Sequence, residues 1–206
     1  MKKQSKKSYD IEERSRRDFH RVSYHRHFEG YSEYEVVDEK GHVHIRRVYT
    51  GMYYAHPFEK KQRILLKAML VAIWLAAVAL FTLGAMQPGA GNNKWYVSVW
   101  QVGDVIGLAW TLFGLFNYLT VPPKMTIGDW RSSSQKLRCG SIFAAVFLLV
   151  TALMILFDLA LTASNVGMYL LCALCFLISG VCMIAEWWIE GKVVYKKTAS
   201  EETAPD

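Results

Sequence analysis

Four long apolar runs, separated by short polar connections, constrain this chain more than any other feature. They cover about 64–86, 95–121, 139–162 and 167–189, and the second ends at Pro122-Pro123. A bilayer core takes about 20 residues of helix at about 1.5 Å each, so each run is long enough to cross one. In hydrocarbon every backbone N–H and C=O must be satisfied within the segment, which makes each run a helix. The expected fold is an all-α four-transmembrane-helix bundle. None of the runs reads as a signal peptide, since 63 polar-rich residues precede the first.

Charge is segregated in the same way. Up to Arg63 there are 15 Lys/Arg and 10 Asp/Glu, against 9 and 8 in the 143 residues beyond. Lys60, Lys61 and Arg63 precede run one, Lys124, Arg131, Lys136 and Arg138 lie between runs two and three, and Lys192, Lys196 and Lys197 follow run four. The opposite connections hold only Lys94. The positive-inside rule then places both termini in the cytoplasm of a bacterial-type plasma membrane.

Four segments follow. Residues 1–30 read as a basic tail, disordered or weakly helical, because charges of both signs dominate and aliphatic residues are scarce. Residues 31–57 read as a cytoplasmic β-hairpin segment, with a turn at Asp38-Glu39-Lys40-Gly41 and a further strand around Thr50 to Ala55. Residues 58–191 form the membrane domain and 192–206 a cytoplasmic tail. The interleaved acids and the lack of any accompanying motif argue against nucleic-acid binding. His42 and His44 share a strand face, but no cysteine lies nearby to complete a zinc set. No metal and no cofactor are expected.

Helices in lipid associate through small residues and hydrogen bonds. Ala68, Ala72 and Ala76 recur every four residues in run one, and Gly103, Gly107 and Gly114 form a small-residue face in run two. In run four, Cys172, Cys175, Ser179, Cys182 and Glu186 alternate by three and four, which holds them on one face as a helix-packing seam. Intramembrane carboxylates are functional candidates, so Asp104 and Asp158 form a candidate ion or proton site in the outer half of the membrane.

Cys172-Ala173-Leu174-Cys175 resembles the CxxC near the outer end of the fourth span in vitamin K epoxide reductase-like enzymes, themselves four-helix membrane bundles. That resemblance implies a thiol oxidoreductase using Cys172 and Cys175. The family also relays electrons through a further cysteine pair outside its core bundle. Here Gln87–Lys94 holds no cysteine, and Cys139 falls at the cytoplasmic end of run three. Residues three apart on a helix also hold their β-carbons about 5–6 Å apart, wider than the roughly 3.8 Å of a disulfide.

Three functions remain in view. The leading one is a non-enzymatic accessory or scaffold subunit, engaging a protein partner or a second copy of itself. Its surface would be the N-terminal segment together with Lys124, Trp130, Arg131, Lys136 and Arg138, which also suit anionic headgroups. The second is a small transporter or channel subunit built on Asp104 and Asp158. The third is the membrane thiol oxidoreductase.

Overall fold

The computed structural model describes residues 29–37, 43–89, 91–162 and 165–199. Residues 1–28 of the tail expected over 1–30, and the hairpin turn expected at Asp38-Glu39-Lys40-Gly41, lie outside the described residues. The chain divides into two compact units: Met1–Tyr54, Thr126–Gly128 and Lys197–Asp206 in one, Ala55–Met125 and Asp129–Lys196 in the other.

In the first unit, β1 (Tyr31–Val37) pairs antiparallel with β2 (Val43–Tyr49), in register from Tyr31 opposite Tyr49 to Val37 opposite Val43. The segment β3 (Tyr53–Ala55) is not part of this two-stranded ladder. Tyr49 anchors the base of the pair. It is buried, its ring packs edge-on against Tyr31 and Tyr53 at 5.1 and 4.9 Å, and its hydroxyl donates to Met52 O at 2.9 Å. Gly30 has φ 85°, and its carbonyl accepts both Thr50 N and Gly51 N. Gly51 must stay bare, because a Cβ there would sit 2.8 Å from the Tyr49 ring.

The second unit carries the long helices α1 (Lys60–Ala85), α2 (Trp95–Thr120), α4 (Lys136–Thr162) and α5 (Val166–Gly191); a short α3, Ile127–Trp130, precedes α4 in the chain. Among the described residues, four helices are long and apolar enough to cross a membrane. Val121, which precedes two prolines, turns extended at φ −65° and ψ 137° and so ends α2. Asn165 enters α5 from the left-handed region at φ 49°, a conformation asparagine tolerates better than most residues.

The residues before α4 depart from the loop expected between runs two and three. Helical structure begins at Ile127 and passes through a π-helical turn, Arg131–Gln135, into α4. The serine run supports this wider turn, since Ser132 and Ser133 hydroxyls donate to Asp129 O at 3.1 and 2.6 Å. Two very short strands, β4 (Lys124–Met125) and β5 (Lys196–Thr198), complete the elements.

The long helices pack in the spatial order α2–α4–α5–α1, and α1 and α2 touch little. Where they do meet, Lys67 Nζ donates to Leu119 O at 2.7 Å and Trp74 Nε1 to Leu108 O at 3.3 Å. Beyond those bonds a cavity of about 400 Å³ opens between them, lined by Phe81, Ser98, Gln101, Val102, Val105 and Ile106. Leu170, Leu174, Leu177, Val181 and Ile184 face outward from α5, as do Val102, Phe113 and Phe116 from α2.

The small-residue faces divide. Gly103, Gly107 and Gly114 are buried against α4: a Cβ at 107 would lie 2.7 Å from Ala144 Cα, and one at 114 the same distance from Leu137 N. Ala68, Ala72 and Ala76 point outward instead, and the buried positions of α1 are Leu66, Leu70, Ala77 and Gly84. Spacing alone does not say which face of α1 meets its neighbours. The better contact came from larger side chains: Leu70 is 0% exposed and Phe81 packs on Phe176 at 5.7 Å.

Candidate functional site

Asp104 and Asp158 are both buried, but the structure does not bring them together. Thr151 Oγ1 donates to Asp104 Oδ2 at 2.8 Å, joining α2 to α4, while Asp104 Oδ1 has no partner among the described residues. Asp158 accepts from the Tyr96 hydroxyl of α2 and, at 2.8 Å, from the Tyr169 hydroxyl of α5. It therefore clasps three helices. Thr151 and Asp158 are seven residues apart on α4, a rise of about 10 Å, so the two acids occupy separate levels.

The cysteine face of α5 turns inward. Cys172, Cys175, Ser179 and Glu186 are buried and Cys182 is half-buried. The Cys172 thiol donates to Gly84 O at 3.2 Å and Ser179 Oγ to Ala77 O at 2.8 Å, so both fasten α5 to α1. A Cβ at Gly84 would lie 3.1 Å from Cys175 Cβ, which shows how closely these two helices approach. All four cysteines are free thiols. Asn92 closes the nearby end of α1 by donating to Gly84 O, Ala85 O and Gln87 O.

A second acidic level lies at the opposite end of the bundle, toward the C-terminal end of α5. Glu186 and Glu190 are 0% and 1% exposed. Ser141 Oγ donates to Glu186 Oε2 at 3.1 Å; Ser134 Oγ and the Tyr195 hydroxyl donate to Glu190 Oε1, each at 2.6 Å. Glu186 Oε1 and Glu190 Oε2 have no hydrogen-bond partner among the described residues. Sequence reasoning placed Glu186 on the seam without weighing it as a site, and it passed over Glu190. The signal was there: Glu190 continues the seam four residues beyond Glu186, one turn further on the same face.

This level reaches the exterior through His56. Its Nε2 faces the Tyr118 hydroxyl at 3.4 Å, and its ring packs edge-on to Tyr195 at 5.5 Å. Burial, with Arg63 and Lys67 nearby, pushes the His56 pKa down to about 4. Burial first, and then the Glu190 charge, pushes the Tyr195 phenol up. The folded state thus disfavours a charged His56, whereas the unfolded chain protonates this residue near 6.5. Its contribution to stability is complete above pH 6.5 and is lost as pH falls from 6.5 toward 4. Subtracting the pH–stability curve of His56→Gln from that of the native chain should leave a decline confined to that window. A flat difference would refute the assignment.

The basic residues expected to form one surface fall into two groups. Lys124 and Arg131 are exposed, and Trp130 is half-buried. Lys136 and Arg138 are half-buried against rings of the bundle: Lys136 Nζ lies 5.9 Å from the Phe113 centroid, and Arg138 Cζ lies 5.9 Å from that of Trp187.

The chain matches no family model, no curated protein and no solved structure. Its function is therefore argued from its own geometry.

Proposed function

We propose that the chain is a multi-pass integral membrane protein of a bacterial-type plasma membrane with both termini in the cytoplasm. Its role is that of a non-enzymatic accessory or scaffold subunit. The observation that carries this reading is the use made of the buried acids. Asp104, Asp158, Glu186 and Glu190 each accept a hydroxyl from another helix or from the segment leading into one. In hydrocarbon such bonds hold helices in register, because a polar group left unpaired there is costly. A frame clasped at both ends suits a protein that presents surfaces. The surfaces it presents are the N-terminal segment and the basic stretch at Lys124 and Arg131.

The test compares three forms extracted in mild detergent after cross-linking in membranes: the native chain, a chain lacking residues 1–57, and Lys124→Glu with Arg131→Glu. A defined protein should accompany the native chain and be lost from both altered forms, while their membrane content stays level. An unchanged set of companions would remove the scaffold reading.

A second reading, cation or proton passage, is favoured by the unpartnered oxygens of Asp104, Glu186 and Glu190. Proteoliposomes decide it. Ion or proton flux that Asp104→Asn abolishes would replace the scaffold reading, and the absence of any flux leaves the scaffold reading standing.

A further inference from the structure

The flank where α4 begins and α5 ends carries cations that the helix clasps do not use. Arg138, in the first turn of α4, sets its guanidinium on Trp187, and its Nε is enclosed without a hydrogen-bond partner among the described residues. Gly191 borders the same guanidinium: a Cβ there would lie 3.3 Å from Nη2 and 3.6 Å from Cζ, so glycine leaves that side uncrowded. The next residue, Lys192, holds its Nζ 3.4 Å from the centroid of the Trp188 ring. One guanidinium, one ammonium and two indoles are thereby gathered at the end of one helix. Glu190, two residues before Lys192, takes its hydrogen bonds from Ser134 and Tyr195.

We propose that this seat binds the phosphate of an anionic phospholipid headgroup. The proposal rests on the membrane reading above and names a lipid partner for its basic side. The chemistry fits at each point. A guanidinium presents a planar fork that matches phosphate oxygens, and an ammonium adds a point charge beside it. Indoles settle at headgroup depth, and basic pockets between helices on the cytoplasmic side take anionic headgroups. An acidic protein segment fits less well, because the two cations lie against indoles of the helix wall rather than projecting from it. Lys196 and Lys197, also basic and four and five residues further along the chain than Lys192, serve as the control.

The experiment reconstitutes the full chain in vesicles of equal parts phosphatidylglycerol and phosphatidylcholine. Gentle extraction and native mass spectrometry then count the lipids retained. The native chain should retain phosphatidylglycerol over phosphatidylcholine by roughly 30-fold, as expected of two interfacial cations. Arg138→Gln with Lys192→Gln should reduce that preference to near unity, and Lys196→Gln with Lys197→Gln should preserve it. A second measurement needs no variant: brominated phosphatidylglycerol should quench tryptophan emission more than brominated phosphatidylcholine does. A membrane-integrated native chain without preference, equal quenching by the two lipids, or equal loss in the Lys196/Lys197 control would overturn the seat alone. A native chain that does not integrate into vesicles would overturn the membrane reading beneath it.

Discussion

Gly107→Leu is expected to destabilise the bundle by roughly 3 kcal/mol, at the upper end of ordinary overpacking. For a chain of this size that is on the order of 10 °C in apparent Tm. The cause lies in what faces the glycine. A Cβ would meet Ala144 Cα at 2.7 Å, and backbone, unlike a flexible side-chain tip, cannot rotate away. The α2 and α4 axes would have to separate. That movement would also strain the Thr151–Asp104 bond between the same helices, 2.8 Å long. Ala72→Leu is the matching control, because Ala72 faces outward and a larger side chain meets nothing in the bundle. Thermal scans monitored by fluorescence-detected size exclusion should show a large shift for Gly107→Leu and almost none for Ala72→Leu. Equal shifts would mean that Ala72 is packed as closely as Gly107, which would overturn the outward placement of the alanine stripe.

Glu190→Leu should cost about 3 kcal/mol as well, by a different route. It removes the acceptor of two short hydrogen bonds, leaving the hydroxyls of Ser134 and Tyr195 unpaired in a buried place. Glu190→Gln keeps an oxygen that both hydroxyls can still reach, and should lose only about 1 kcal/mol. Guanidinium-induced unfolding in detergent measures both. A leucine variant as stable as the native chain would show that this cluster contributes nothing to holding α5.

Much of this architecture was legible in order along the chain. Run length and the prolines at 122 and 123 placed the long helices to within a few residues. The three-and-four spacing from Cys172 to Glu186 identified the inward face of α5. The connector before α4 is polar and lies between two apolar runs, which reads as loop, yet side-chain bonds to Asp129 O support a wide helical turn there. Ala68, Ala72 and Ala76 share a face by spacing as well as any motif could, and they point away from the other helices. Spacing says which residues lie together on a helix. It does not say which side the neighbour occupies.

The acids show the same division. Being apolar-flanked and ionisable marks Asp104 and Asp158 in the sequence, whereas Glu190 falls just beyond the fourth apolar run, 167–189, beside Gly191 and Lys192. Only the packing of α5 against the segment ending at Gln135 turned Glu190 inward onto Ser134. The sequence by itself determined the four long helices and the inward seam of α5, because hydrophobic length and periodicity are local properties. The partners of each acid, the outward turn of the alanine stripe and the gathering of Arg138 with Lys192 were decided by tertiary structure. Those depend on how helices rotate against one another, and rotation is set by contacts between residues far apart in the chain.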